Sequence, residues 1–167
     1  MKDDAIEHYD SIFTTELATI GLQFNGRHLI KVAYLDKTTA EKCRSRFAER
    51  VKDQIQKYLQ PGSGGRASGS NGIAVDIELD VTDFQGSVLK ELQRIPFGET
   101  RTYGEIAARL KTSPRAVGNA CRRNPLPIII PCHRVVAASG IGGYDGARSG
   151  ELLDIKRQLL AREGIEF

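Results

Sequence analysis

Ile128-Ile129-Ile130-Pro131-Cys132-His133-Arg134-Val135-Val136 is the stretch from which the rest of this sequence can be read. An apolar run delivers a proline, a cysteine, a histidine and an arginine in succession, and an apolar run resumes. The pattern reads as a buried strand with a thiol at its end and an imidazole as the next neighbour. The thiolate is the nucleophilic form of cysteine, and an ordinary thiol titrates near about 8.5. Chemistry at Cys132 therefore needs a base or a positive charge close by, and His133 and Arg134 can supply either. A Cys-His dipeptide alone is weak evidence, because free cysteine is among the most buried residue types.

Two short helices are expected upstream. Thr102-Tyr103-Gly104-Glu105 fits a capping box, and Tyr103, Ile106, Ala107 and Leu110 follow at helical spacing. Lys111-Thr112-Ser113 makes a turn. Ser113 is placed to cap a second helix over 114–123, with Pro114 at its first position. Val117, Ala120 and Cys121 form the apolar face of that helix; Arg115, Gly118, Asn119 and Arg122 lie on the other. Two short helices joined by a tight turn, the second basic on its outer face, form a helix-turn-helix pattern. Downstream, 137–148 is too rich in glycine to be regular and suits a pocket wall that approaches a flat ligand closely. Ser149 is placed to cap a last helix. Leu152, Ile155 and Leu159 pack inward there, and the helix ends near Glu163 before Gly164.

The first half reads as a small α/β unit. Thr14 to Phe24 and Arg27 to Leu35 are β-prone, and Asn25-Gly26 between them is a hairpin signal. Thr38-Thr39-Ala40-Glu41 fits a capping box. Ala40, Cys43, Phe47, Val51, Ile55 and Leu59 then recur at helical spacing, so a helix is expected over 39–59 with Cys43 in the core. Residues 61–71, rich in glycine and serine, form a loop, and Ile73, Val75, Ile77 and Leu79 alternate as a half-buried strand. Thr82 starts another helix, with Phe84, Val88 and Leu92 as its stripe. The expected fold class is α+β, with an α/β unit over 1–80 and a mostly helical unit over 81–167.

A formal net charge of +3 is unremarkable, but it is unevenly spread: 11 basic and 13 acidic residues in 1–83, against 13 and 8 in 84–167. From Ile106 to Tyr144 there is no acidic residue, while Arg109, Lys111, Arg115, Arg122, Arg123 and Arg134 fall there. Charge alone fits a solvated basic face as well as it fits a surface for a phosphate backbone. Hydrophobic content of 40% and charged content of 27% suit a globular chain, and no apolar run reaches the ~18 residues of a membrane span. Cys43, Cys121 and Cys132 are far apart and odd in number, which makes neither a metal pattern nor a disulfide framework. Whether Cys43 and Cys121 pair stays open. His8 and His28 have no ligand-spaced partners, and no metal is expected. The polar, acidic opening 1–7 is unlike a secretory signal, so a reducing, cytoplasmic setting is expected.

The longer string Asn124-Pro125-Leu126-Pro127-Ile128-Ile129-Ile130-Pro131-Cys132-His133-Arg134-Val135 resembles the active-site signature of the O6-alkylguanine-DNA alkyltransferases, or methylated-DNA–protein-cysteine methyltransferases. Phe97-Gly98-Glu99-Thr100-Arg101-Thr102-Tyr103-Gly104-Glu105-Ile106-Ala107 is similar to another block of that family. So are Ser113-Pro114-Arg115-Ala116-Val117-Gly118-Asn119-Ala120 and Leu159-Leu160-Ala161-Arg162-Glu163-Gly164. The likeness runs from about Phe84 to Gly164 in the family's order. The first 80 residues carry no such block, but their strand–strand–helix–strand order is compatible with the family's ribonuclease H-like N-terminal domain.

The resemblance implies DNA repair by direct, irreversible transfer of an alkyl group from O6-alkylguanine, and also O4-alkylthymine, to Cys132. The protein would act once per molecule on double-stranded DNA, as a monomer, with no cofactor. His133 would take the thiol proton through a water, Glu163 would polarise His133, and Asn124 would brace the turn holding the Cys132 segment. Tyr103 would hydrogen-bond the guanine and press on the target's 3′ phosphate. Arg115 would fill the gap left by the extruded nucleotide. Gly118, Asn119, Arg122 and Arg123 would contact DNA, and Tyr144, Ser149 and Val135 would line the substrate pocket. Arg134 is read as structural. The chain departs from the family where a serine usually follows the loop tyrosine: here Tyr144 is followed by Asp145-Gly146-Ala147-Arg148-Ser149. Either Ser149 takes the serine's place or Asp145 does. A carboxylate is a poor donor to O6, which favours Ser149.

Three other readings compete. Alkyltransferase-like proteins bind lesions without transfer, but they lack the acceptor cysteine present here. A helix-turn-helix transcription factor would leave the Cys-His stretch unexplained. A cysteine hydrolase would need an oxyanion hole, for which there is no signature.

Overall fold

A computed structural model describes residues 8–62 and 72–167. Its first part is a five-stranded mixed sheet in the order β4-β1-β2-β3-β5 with one helix. Strands β1 (Ser11–Thr14), β2 (Thr19–Asn25) and β3 (His28–Leu35) form an antiparallel meander. The β2–β3 hairpin turns at Asn25-Gly26, where Gly26 takes φ 59°. The β-prone run from Thr14 is interrupted: Thr15 N–H donates to the Ala18 carbonyl, and the first strand begins earlier, at Ser11.

The expected helix over 39–59 starts only at Arg46. Lys42 and Cys43 instead form β4, paired with Ile12 and Ser11. The Thr38 N–H, which a capping box would give to Glu41, donates to Asp36 instead, and the Glu41 carboxylate accepts from the Thr14 N–H, so the box does not form. Ser45 caps α1 (Arg46–Leu59) through the Ala48 N–H. Cys43, expected in the core, is exposed. The buried face of α1 is Ala48, Val51, Ile55, Tyr58 and Leu59. The alternating segment after residue 72 pairs only briefly, as β5 (Asp76–Ile77), parallel to His28 and Leu29. The loop expected over 61–71 lies outside the described residues from 63 onward.

The C-terminal domain is mostly helical. Thr82 caps α2 (Asp83–Gln93); its buried stripe is Val88, Leu89 and Leu92, and Phe84, expected on it, is exposed. After the short β6 (Arg101–Thr102) come α3 (Tyr103–Leu110), with the Thr102–Glu105 capping box formed, and α4 (Pro114–Arg122), capped by Ser113. Between them Lys111 turns the chain with φ 52°. These helices make the expected helix-turn-helix.

The apolar run before Cys132 is not a strand. Pro125, Pro127 and Pro131 offer no N–H to a ladder, and Ile128 takes φ 73°. The run folds into turns, with the Ile130 N–H on the Leu126 carbonyl, and ends in a single 3-10 turn over Cys132–Arg134. Only then does β7 (Val135–Val136) form, parallel to β6. Helix α5 (Glu151–Arg162) closes the chain; its N-cap is Gly150, and Ser149 makes no cap.

One apolar cluster runs through both parts, from Phe13 and Ile20 to Ile130 and Leu159. Polar contacts join them as well: the Val32 N–H donates to the Pro125 carbonyl, and the Arg162 guanidinium donates to the Leu59 carbonyl at the end of α1. Among the described residues no helix is long and apolar enough to cross a membrane.

Candidate active site

Cys132 opens into a cavity of about 600 Å3. One wall comes from the helix-turn-helix: Tyr103, Arg115, Gly118, Asn119 and Arg122. The other is the glycine-rich loop, including Gly142, Tyr144, Asp145 and Arg148. Gly142 is required there. It takes φ 72°, and a Cβ on it would lie 3.1 Å from the Tyr103 ring. Arg115, Asn119 and Arg122 are exposed, and Tyr103 is half-buried with its hydroxyl donating to the Gly143 carbonyl at 3.4 Å.

Arg123, expected to contact DNA, is exposed without lining this cavity, and its carbonyl accepts from the Gln85 amide. Two expectations for the cavity itself need correction. Val135 is fully buried in β7 and does not reach the cavity. Ser149 is exposed and also outside, whereas Asp145 is on the wall. The cause is a tight turn: Tyr144 and Ala147 exchange both backbone hydrogen bonds, at 2.9 and 2.8 Å. That turn puts Asp145 at the rim and carries Ser149 on towards α5.

Beneath the cavity lies a buried polar row. His133 Nε2 is 2.8 Å from Glu163 Oε1, and both side chains are fully buried. Arg134, also buried, donates to Glu163 Oε2 through Nε at 2.9 Å and to the Ile95 carbonyl at 2.8 Å. The Gly98 N–H adds a further donor to Glu163 Oε2 at 3.0 Å. Arg134, read from sequence as structural, is thus the buried counter-charge of Glu163. Burial alone would raise the Glu163 carboxyl, but the His133 and Arg134 hydrogen bonds override it and hold it at about 2. Glu163 is therefore an anion, so His133 Nε2 must carry a proton. In the neutral ring the lone pair is then on Nδ1, which has no hydrogen-bond partner among the described residues.

Burial pushes the Cys132 thiol up to about 11, against the pull of hydrogen bonds from Asn124 and Tyr144 and of the Lys156 charge. Burial also lowers the His133 pKa, with Glu163 partly offsetting it. At neutral pH the pair is therefore a thiol beside a neutral imidazole: an acid that must be deprotonated and a base able to do it. Asn124 ties together the turn before Cys132, its amide donating to the Ile130 carbonyl at 3.0 Å and its oxygen accepting from the Leu126 N–H at 3.0 Å. All three cysteines are free thiols.

Three side chains at the site were not singled out from sequence. Lys156 is fully buried and donates to the carbonyls of Val135, Ile141 and Gly143 at 2.6, 2.7 and 2.9 Å. Tyr58 on α1 reaches Glu163, and Tyr34 on β3 reaches Tyr144. A signal existed for Lys156, which lies seven residues before Glu163 and so on the same helical face. None existed for the tyrosines, whose partners are distant in sequence.

A family model described as "6-O-methylguanine DNA methyltransferase, DNA binding domain" matches residues 83–165. The methylated-DNA–protein-cysteine methyltransferase of Methanocaldococcus vulcanius is 60% identical over 70 residues, which are 42% of this chain and 44% of that protein. This chain thus aligns with less than half the length of that relative. The protein of the same name from Archaeoglobus fulgidus is 44% identical over 113 residues, 67% of this chain and 72% of the relative. Among solved structures, Mycobacterium tuberculosis OGT in complex with DNA superposes with a TM-score of 0.72 at 34% identity, covering 92% of this chain and 91% of that one. The chain belongs to the methylated-DNA–protein-cysteine methyltransferase family.

Proposed function

We propose that this chain repairs DNA by moving the alkyl group of O6-alkylguanine irreversibly onto the Cys132 sulfur. The observation that carries this reading is a shared cavity: Cys132 and the exposed basic face of α4 open onto the same space. A nucleophile and a surface for phosphate are thereby brought within one nucleotide's reach. The O6 atom is inaccessible inside a duplex, so the target nucleotide must leave the stack. Arg115, exposed at the cavity mouth, fills the gap it leaves. Asn119 and Arg122 on the cavity wall and Arg123 beside it meet the phosphates. A Cβ on Gly118 would make only ordinary contact with Tyr103, so its small size serves the approach of the DNA backbone rather than protein packing.

In the transfer, His133 Nδ1 takes the Cys132 proton through a water, with Glu163 balancing the imidazolium. The thiolate attacks the alkyl carbon in line, a C–S bond forms, the C–O6 bond breaks, and guanine leaves with the electron pair on O6. The Tyr103 hydroxyl hydrogen-bonds N3 and offsets that charge. Burial raises the Tyr103 pKa, so it stays a neutral donor. Tyr144 and Asp145 border the alkyl group. The product is a thioether, so each molecule acts once. O4-alkylthymine presents the same kind of alkyl oxygen and is a second substrate. One chain supplies every group named, which supports a monomer. Free thiols suit a reducing, cytoplasmic compartment. We also divide the chain at 80/81, a reading supported by the Thr82 cap that opens α2.

The test is intact and peptide mass after incubation with duplex O6-methylguanine. One methyl on the Cys132 peptide is expected, saturating at one per protein and absent in Cys132→Ala. Tight lesion binding without added mass would make the protein a damage sensor instead.

A further inference from the structure

The last turns of α1 and α5 grip each other at two consecutive positions. The Arg162 guanidinium donates to the Leu59 carbonyl, and the Tyr58 hydroxyl donates to Glu163 Oε1 at 2.8 Å. The first contact ends a helix; the second enters the polar row under Cys132. Tyr58 is buried, packed edge-on against Phe97 with ring centroids 6.5 Å apart. Its oxygen also lies 3.3 Å from His133 Nε2.

The proton count around these atoms is constrained. Glu163 is ionised and only accepts, so the Tyr58 proton points at the carboxylate. The Tyr58 oxygen then presents lone pairs, not a proton, to His133 Nε2, and can accept only from an Nε2–H. Tyr58 and Glu163 therefore favour the same tautomer from two sides. A proton on Nδ1 in place of Nε2 would leave both with a lone pair facing a lone pair. We propose that Tyr58, contributed by the N-terminal sheet unit, is a positioning residue of the transfer reaction: it fixes Glu163 and holds His133 as the Nε2–H tautomer with Nδ1 as the base. The inference rests on the reading of Cys132 as alkyl acceptor and deepens it, because it makes the relay a joint product of both parts of the chain.

Tyr58 also shares Glu163 Oε1 with His133, so it limits how strongly the carboxylate stabilises the imidazolium. The groups facing His133 are Glu163 and Lys156 from α5, Arg134 from the same turn, and Tyr58 from α1. Removing the Tyr58 donor leaves Glu163 freer to bind the charged ring, which raises the His133 pKa.

The experiment is the pH–rate profile of single-turnover methyl transfer for the full chain and for Tyr58→Phe, alongside 15N chemical shifts of His133 in the unmodified protein. The expected profile for Tyr58→Phe has its acid limb moved to higher pH by roughly half a unit, the direction that a stronger anion imposes on an imidazole. The expected 15N pattern has Nε2 protonated and Nδ1 bare at neutral pH. A profile that superimposes on the parent, or that drops uniformly at every pH, overturns the proposal and leaves Tyr58 an interface pin. A His133 protonated on Nδ1 overturns it even if Tyr58→Phe fails to fold. If the parent protein leaves Cys132 unmethylated, the reading of the site fails, while the tautomer measurement still stands.

Discussion

The hydroxyl of Tyr34 on β3 lies 2.8 Å from that of Tyr144 in the cavity wall, a hydrogen bond between two buried phenols 110 residues apart. Burial raises both pKa values, so both stay neutral. Tyr144 in turn is among the groups that pull the Cys132 thiol down against its burial. The sheet thus holds the wall of the cavity through one side-chain contact. Tyr34→Phe leaves the Tyr144 hydroxyl short of a partner, at a cost of about 1–2 kcal/mol. A thermal midpoint lower by about 3–6 °C is expected. An unchanged midpoint would mean that the contact is incidental.

Lys156 clamps the same wall from beneath. Its three carbonyl acceptors call for three donors, which only the ammonium has. Burial pulls its pKa down to about 8, with the Cys132 and Cys121 sulfurs acting the other way, so it is still cationic at neutral pH. Lys156→Met removes three hydrogen bonds and the cation that favours the Cys132 thiolate. Loss of about 2–4 kcal/mol in urea unfolding is expected. The thiol titration of Cys132, followed by iodoacetamide reactivity against pH, should move upward. A downward move would contradict the assigned role of the charge.

How much of this was legible in the sequence depends on the range of the interaction. The capping box at Thr102, the Ser113-Pro114 start and the Asn25-Gly26 hairpin are local chemistry, and each formed where expected. The early start given to α1 failed because Lys42 and Cys43 answer to Ser11 and Ile12 across the sheet, which no local pattern records. The isoleucine run misled for another reason. Hydrophobicity announced burial correctly, but the three prolines around it already argued against a ladder. Cys132, His133 and Glu163 were legible through the family blocks. Tyr34 and Tyr58 were not, since a tyrosine on an apolar face reads as core until its hydroxyl partner is known.

Arg115 sits at the cavity mouth on the exposed face of α4. If it holds the gap left by the extruded nucleotide, its removal should matter only where there is a stack to hold open. Arg115→Ala should slow methyl transfer from duplex O6-methylguanine by about 10–100-fold, the rate equivalent of about 1.4–2.7 kcal/mol out of the few kcal/mol that unstacking costs. Transfer from a single-stranded oligonucleotide should change much less. Equal losses on both substrates would make Arg115 a plain phosphate contact.

Arg115, Arg122 and Arg123 are exposed, and the segment around them lacks acidic residues. If each neutralises one phosphate, the logarithm of the binding constant should fall with the logarithm of salt at a slope of about −3. Arg122→Ala should make that slope shallower by about one. A slope near zero would rule out this face as the DNA contact.

Glu163 ties stability to pH. Its carboxyl sits at about 2 in the folded protein. An unfolded glutamate titrates near about 4.3, so on acidification the unfolded chain takes up a proton that the folded chain refuses. His133 adds to this in the same direction, since its folded pKa is lowered below the ordinary value of about 6.5. Stability is therefore fully present at pH 7 and above both unfolded values. It begins to fall below about 6.5 as unfolded His133 protonates, and falls further between about 5 and 2 as Glu163 is forced to do so. The Glu163 part amounts to about 3 kcal/mol, the free-energy equivalent of its shift. In Glu163→Gln the lower stage should vanish. The neutral-pH stability should also drop by about 3–5 kcal/mol, because Arg134 is left buried without its anion. Urea midpoints at pH 7, 5.5 and 4 separate these effects. A parent protein whose midpoint rises on acidification, or a Glu163→Gln variant that keeps the full acid dependence, would show that the carboxylate is not the group through which the fold senses acid.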